Sequence, residues 1–368
     1  MLNFTPLRNF RGVAFVALAL ASPAVSRAHS DYSIFDLGAL SSRSSSANAI
    51  NDRGQVVGSY SGDNFPVIWT GTTSLPLDTL PGYGSDVFGI NNNGQAAGYS
   101  GDQGHFSPHA VRWTGTAVTD LGVISGGNSY GRAINDRGQV AGYSAVQSAG
   151  AFHAVVWTGT TAVDLGTLGG TNSFAFGINN NGQVAGDSWA PVSNTNHAVR
   201  WTGAAITDLG ALGGLQSHGQ AINASGQIAG DADLAIGNGT HAVRWTGTTA
   251  ADLGTLGGLT SYGYGINDNG DVVGASLLAN RNGQDAFLYS DDRMIDLNTL
   301  LSADSGWQLF DARGINNSGW ITGTGIINGQ QHAYILRPNA VPEAGGAWVL
   351  GIGCWILGAA GLRKRRQS

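Results

Sequence analysis

One recurrent pattern restricts this chain to repeat architectures. An Ile-Asn pair opens a turn of type Asn-x-x-Gly at Ile50, Ile90, Ile134, Ile178, Ile222, Ile266 and Ile315, at intervals of 40, 44, 44, 44, 44 and 49 residues. An Asp-Leu-Gly marker, looser at Asp78 and Asp296, recurs at Asp36, Asp78, Asp120, Asp164, Asp208, Asp252 and Asp296. Units of this length bury their apolar faces against their neighbours rather than in separate cores.

Each unit reads as four short strands. Small and aromatic residues lead into Ile-Asn, as in SFAFGIN from Ser173 and SYGYGIN from Ser261. In the turn that follows, asparagine can bond its own backbone and glycine accepts a positive φ, which is hairpin chemistry. A second strand of type QVAGYS comes next, then a loop of varying length, the strand HAVRW, a tight Thr-Gly-Thr turn and the Asp-Leu-Gly strand. Strands of about five residues with turn signals every eight to twelve or so suit the four-stranded blades of a propeller.

A solenoid also stacks units of this size, and the chain ends discriminate between the two. The first Asp-Leu-Gly strand, Tyr32 to Leu40, precedes the first Ile-Asn, whereas the last unit stops after His332 to Leu336 without such a strand. In a ring these fragments complete one blade; a solenoid would carry polar caps instead. The expected fold is all-β, a seven-bladed β-propeller of about 44-residue four-stranded repeats over residues 29–340, closed by the N-terminal strand pairing with the last blade.

Composition agrees with a packed β structure. The 58 glycines and 11% charged residues accompany 42% apolar residues, so tight turns and close strand packing are expected rather than disorder. The only lysine and the only glutamate, Lys364 and Glu343, sit in the C-terminal tail, and most other basic residues outside the repeats are Arg8, Arg11, Arg27, Arg363, Arg365 and Arg366. The repeats are therefore acidic, which repels phosphate backbones and makes nucleic acid an unexpected partner. The single cysteine, Cys354, also lies in the tail, so no disulfide and no cysteine-based metal site is expected in the repeats.

The two ends read as address labels. Residues 1–28 combine Arg8 and Arg11, an apolar run from Val13 to Ala21, and small residues ending Ser26-Arg27-Ala28, the pattern of a secretory signal cut after Ala28 or Ala24. Residues 341–368 hold Val341-Pro342-Glu343, an apolar stretch from Gly345 to Leu362 and the basic stop Arg363, Lys364, Arg365 and Arg366. Such a stretch can just span a bilayer with its basic end on the cytoplasmic side. The ring would then face outward from the inner membrane.

This tail resembles the PEP-CTERM sorting signal of Gram-negative, polysaccharide-producing bacteria over about the last 28 residues, although Ala344 stands where that pattern has a second proline. The resemblance implies an exosortase-type sorting enzyme as partner, transient residence in the inner membrane, and release to the cell surface or extracellular matrix; an uncleaved anchor is the alternative. The repeats resemble the HAF family of extracellular repeats, through DLGTLGG at Asp164 and Asp252, INDRGQV at Ile134, INNNGQV at Ile178 and HAY at His332. The middle copies have HAV where that family has an aromatic. This resemblance implies location and fold and brings no activity with it.

Five histidines occupy one repeat position, His109, His153, His197, His241 and His332, with Phe65 and Asp285 in the other units. An active site needs one asymmetric constellation rather than a repeated residue. The expected role is a buried hydrogen bond to the aspartate of the next strand, pairing these histidines with Asp120, Asp164, Asp208, Asp252 and, for His332, Asp36. Trp69, Trp113, Trp157, Trp201 and Trp245 share another position and are expected to pack between blades.

Catalytic motifs are wanting. No serine holds a Gly-x-Ser-x-Gly elbow with plausible partners, and a paired acid and base for glycoside hydrolysis would have to come from aspartates such as Asp231 and Asp233 or Asp291 and Asp292, which read as solvated loop acids. The Asn267 to Asp271 run reads as a turn rather than a calcium loop. The chain is therefore expected to be no enzyme, with no cofactor and no metal; an acidic pair of perturbed pKa in the central channel would argue otherwise. Function is expected in the loops that break the repeat, on one face of the ring. The ligand-binding candidates there are Tyr83, Phe106, Trp189, Asn194, Arg281 and Trp307, with extracellular polysaccharide as the possible ligand. A structural or adhesive role at the cell surface is the leading expectation, and a lectin-like propeller the alternative.

Overall fold

The computed structural model describes residues 32–339, apart from 39–42, 62–64, 82–83, 103–104, 147–149, 192–194, 236 and 280–282. The expected signal peptide and sorting tail, with Val341, Pro342, Glu343 and the basic stop, lie outside the described residues. Among those described, no helix is long and apolar enough to cross a membrane.

The fold is all-β and propeller-like. Five sheets have four antiparallel strands, and a sixth has eight, its two halves joined through a single parallel pair, Thr240 and Thr260. Within a sheet the strands follow chain order, as in Ser129–Ile134, Val140–Ala145, Phe152–Thr158 and Thr161–Asp164. The exception joins the chain ends: Tyr32–Asp36 pairs with Gln330–Pro338 in the register Ile34 to Leu336.

Burial alternates along the first strand of each sheet, as in Ser173–Ile178, because strand side chains point alternately to opposite faces. The first strands carry a bulge, between Ala175 and Gly177 for example, that presses a carbonyl against a glycine of the second strand. A Cβ at Gly186 would collide with the Phe174 carbonyl oxygen, so the glycine of the repeat Val-Ala-Gly is required there. The repeated tryptophans are 0–1% exposed and fill the spaces between adjacent sheets. Trp201, for instance, packs with Val184 and Val199 of its own sheet and with Ala141 and Ala154 of the preceding one.

Two polar series tie each repeat to the next. In the first, the asparagine side chain holds its own turn: Asn135 Oδ1 accepts from the amides of Arg137 and Gln139, and Gly138, with φ of +75°, closes it. Its Nδ2 donates to the carbonyl of the next copy's asparagine, Asn179, at 3.1 Å. The same bond runs from Asn51 to Asn91 and onward, and the last donor, Asn316, reaches the Asn51 carbonyl at 3.0 Å. In the second series the Asp-Leu-Gly aspartate accepts from the glycine amide two residues on, and that glycine's carbonyl accepts from a serine hydroxyl that itself accepts the amide after the repeat histidine. Gly166, Ser173 and Ala154 form one such set, and Gly38, Ser45 and Ala333 form another across the chain ends.

The last repeat interval, 49 residues in place of 44, is accommodated by two short 3-10 turns, Leu297–Leu300 and Ala303–Ser305, the first capped by Asp296 accepting from Asn298 N. The Asn267 to Asp271 run is a turn, with Asp271 Oδ2 accepting from Asn267 Nδ2.

Candidate functional site at the central cavity

The first strands surround a cavity, and the seven repeated isoleucines form its waist. On one side of this collar lie the asparagine series and the residues that follow it, Asp52, Asn92, Asp136, Asn180, Ala224, Asp268 and Asn317. On the other side the cavity, about 200 Å³ in volume, is lined by the residues two places before each isoleucine: Asn48, Phe88, Arg132, Phe176, Gln220, Tyr264 and Arg313. The two mouths differ in kind. The first is a closed polar network, whereas the second gathers three aromatic rings, two guanidinium groups and two amides around one opening.

Local structure explains the convergence. Each of these seven residues stands just before the isoleucine on a first strand, so the repeat delivers one variable side chain per copy to the same level of the cavity. Arg132 lies over Phe88, its Cζ 4.0 Å from the ring centroid, and 5.5 Å from the centroid of Phe176. Burial pushes its guanidinium below the usual value. Arg313 Nε donates to Asp311 Oδ2 at 2.9 Å, and its Cζ is 5.5 Å from the Tyr264 ring. Burial raises the Tyr264 phenol to about 12. Asn48 Nδ2 donates to the Val87 carbonyl at 2.8 Å.

Beyond this level the surroundings divide into two halves. Across copies two to four an aromatic crescent runs through Phe88, Tyr99, Tyr130, Tyr143 and Phe174, with successive ring centroids 4.9–5.9 Å apart. Copies four to seven carry ionisable groups instead. Asp187, 3% exposed, accepts from His218 Nδ1 at 2.7 Å, Gly219 N at 3.0 Å and Asn196 Nδ2 at 3.2 Å. Burial pushes the Asp187 carboxyl up and these donors oppose it. The Asp187 contact in turn raises His218 to about 9, above the drop that burial alone would cause. Asp231, the register partner of His218 on the neighbouring strand, is 5% exposed, and burial raises it to about 7.

Asp231 is thus no solvated loop acid. It lies inside the strand Ile228–Leu234, where its neighbour Asp233 accepts from the Thr240 hydroxyl at 2.8 Å. Asp291 and Asp292 do sit in a turn, both with positive φ.

The repeat histidines meet their aspartates in every case: His109 with Asp120, His153 with Asp164, His197 with Asp208 and His241 with Asp252 at 2.8–2.9 Å, and His332 with Asp36 at 2.9 Å. These pairs are not buried as expected, since the aspartates are 40–43% exposed, because their strand is the outer edge of each sheet.

Of the loop candidates, Tyr83, Asn194 and Arg281 lie outside the described residues, and Phe106 falls on the strand His105–Thr114 without a described side chain. Trp189 ends the strand Gln183–Trp189, where its amide and carbonyl bond the crossover at Asn172 and Gly170. Trp307 begins the strand Trp307–Ile315, edge-on to His332 and Tyr334.

No family model matches the chain, and no curated protein matches it in sequence. Solved structures do resemble it. The β-propeller domain of the Trilobed protease from Pyrococcus furiosus matches with a TM-score of 0.52 at 7% identity, over 80% of this chain and 95% of that one. YCF48 from Cyanidioschyzon merolae matches at 0.49 and 11% identity, over 83% and 99%. An acylaminoacyl peptidase from Pyrococcus horikoshii matches at 0.48 and 10% identity, over 79% of this chain and 52% of that one.

The expectation that the chain is no enzyme does not stand. The fold it shares with the β-propeller domain of the Trilobed protease occurs as part of an enzyme, and motif reasoning could not see a site assembled from unlike residues of different copies. Asp187 and His218 are 31 positions apart, and the histidine has no repeated counterpart.

Proposed function

We propose that this chain is an exported seven-bladed propeller, closed by its N-terminal strand, that holds a glycan at the mouth of its central cavity and serves a structural or adhesive role at the cell surface or in the polysaccharide matrix. The observation that carries the reading is the convergence of Phe88, Phe176 and Tyr264 with Arg132, Gln220 and Asn48 on one opening. Aromatic faces stack on sugar rings while amide and guanidinium donors bond their hydroxyls, which is the chemistry of carbohydrate recognition. The count of seven is supported by the asparagine series that returns from Asn316 to Asn51, and closure by the pairing of Tyr32–Asp36 with Gln330–Pro338.

Export, and sorting by an exosortase-type enzyme with passage through the inner membrane, rest on the sequence of the two ends. Mass spectrometry of the secreted protein tests them: a mature chain that begins near His29 and ends near Val341 agrees with the reading, and an intact C-terminus overturns the sorting. The glycan reading is tested on a glycan array with the unaltered protein and the Phe176→Ala variant. Binding that the variant loses is the expected result, whereas binding unchanged in the variant moves the site elsewhere, and no binding to any glycan refutes the reading.

A further inference from the structure

We propose that the group received at this mouth is a carboxylate on the terminal sugar of a chain, a uronic acid residue, and that Arg132 is the residue that binds it; this rests on the glycan-binding reading above. The two arginines of the mouth are in different states. Arg313 is already satisfied by Asp311, which is itself fixed by the Thr324 amide at 2.8 Å. Arg132 has no ion-pair partner among the described residues. Its surroundings offer only partial compensation: Phe88 and Phe176 cover the guanidinium, and Asp86, the carboxyl that attracts it, makes no ion-pair contact with it and accepts from the Val87 amide at 2.9 Å.

A guanidinium stacked against an aromatic ring keeps its N–H donors in the plane of the group, along its free edge. That edge is a planar fork matched to the two oxygens of a carboxylate. A partly desolvated cation with no counterion in contact is costly, and an anionic ligand relieves that cost where a neutral sugar would not.

The dimensions specify the manner of binding. A cavity of about 200 Å³ is smaller than the roughly 300–1,000 Å³ of sites for drug-sized ligands, and it narrows to the isoleucine waist. One sugar residue fits, and the chain behind it must leave by the way it came, so recognition is of an end. The aromatic crescent from Phe88 to Phe174 lies on the exit side, where it can carry the following residue.

Calorimetric titration of the full chain tests this with trimeric galacturonate, glucuronate and mannuronate, their methyl esters, and sodium acetate. At least one free oligouronate should bind about tenfold or more tightly than its ester, in which a methyl group replaces each negative charge. That preference should vanish in Arg132→Gln, fall in Arg132→Lys, which keeps the charge and loses the fork, and persist in Arg313→Gln. Esters that bind as tightly as the acids overturn the proposal while leaving the glycan reading intact. Acetate binding as tightly as the oligouronates overturns the sugar part, and binding of nothing, on the array as well as here, removes both. The acid-to-ester ratio of the unaltered protein decides the matter even if a variant fails to fold.

Discussion

His332 and Asp36 are 296 residues apart in the chain and 2.9 Å apart in space. A carboxylate only accepts, so His332 Nδ1 carries the proton of this hydrogen bond. Elsewhere the same contact joins residues 11 apart across one tight turn, as in His153 and Asp164. A relationship that is local in four copies therefore fastens the two ends of the chain in the fifth. With the aspartate about 40% exposed, the pair alone contributes little. A double-mutant cycle on Asp36→Asn and His332→Gln should give a coupling of about 0.5 kcal/mol, similar to that for Asp164 and His153. Removing residues 1–38 deletes the whole strand and should lower the melting temperature far more than either variant. A midpoint that stays within about 2 °C would show that the strand does not close the structure.

The repeated tryptophans offer an internal comparison of hydrogen bonding at constant burial. Trp113 Nε1 donates to the Asp78 carbonyl at 2.6 Å, whereas Nε1 of Trp201 is buried without a partner among the described residues. Phenylalanine removes the donor and leaves a similar void at either place. At Trp113 it also strips a carbonyl of its partner, and at Trp201 it removes a group that was already costly. Trp113→Phe should therefore destabilise by roughly 1–2 kcal/mol more than Trp201→Phe in urea unfolding. Equal losses would mean that Trp201 finds a water the geometry does not reveal.

Much of this architecture was legible because it is repeated. Strand order, the Asn-x-x-Gly turns and the pairing of His332 with Asp36 follow from comparing copies, since a residue that recurs at fixed phase meets the same neighbours each time. The cavity was hidden by the same comparison. Asn48, Phe88, Arg132, Phe176, Gln220, Tyr264 and Arg313 occupy one phase with unlike residues, so the position looks like drift. The available signal was the strand face they share with the isoleucine two places on, which fixes their orientation whatever their identity. The pairing of Asp187 with His218 was beyond sequence reasoning, because the two come from different copies and, although Asp187 recurs as Asp231, the histidine has no counterpart in the other copies.

The polar mouth contains a mismatch that seven copies cannot avoid. Aspartate and asparagine alternate from Asp52 through Asn92 and Asp136 to Asn180, and again at Asp268 and Asn317, so that each carboxylate accepts from an amide. An odd number of places cannot alternate without setting two like groups side by side, and Ala224 stands at the fault. The backbone amides of Asn92 and Ala224 each donate to the next copy's side chain, Asp136 and Asp268, but Asn180 faces an alanine in place of such an acceptor. Ala224→Asn restores the acceptor and can donate to Asp268, and should raise stability by about 0.5–1 kcal/mol. Ala224→Asp supplies the acceptor but sets a second carboxylate beside Asp268, and should gain less or lose. Thermal midpoints of the two variants in low salt check the order, and aspartate ranking above asparagine would contradict the alternation argument.

Stability should fall steadily as pH rises from 4 to 9, through two groups acting in sequence. Asp231 has its folded pKa near 7 against an ordinary 3.8, because burial disfavours its charge. Below about pH 4 both folded and unfolded chains hold the proton; between there and pH 7 only the folded chain does, so raising the pH withdraws stability until the folded carboxyl also ionises. The whole effect is at most roughly 4 kcal/mol, with the opposing cation of His218 already included in that shift. His218 then continues the trend: its pKa, raised from 6.5 to about 9 by Asp187, supplies stability that is complete below 6.5 and gone above 9. Asp231→Asn should match the unaltered protein near pH 4 and exceed it in urea midpoint at pH 8, because the amide never ionises. His218→Gln should flatten the profile above pH 6.5 yet lower it throughout, since Asp187 keeps its burial and loses its cation. A profile that rises between pH 4 and 7, or an Asp231→Asn variant no more stable than the parent at pH 8, would show that the carboxyl is solvated.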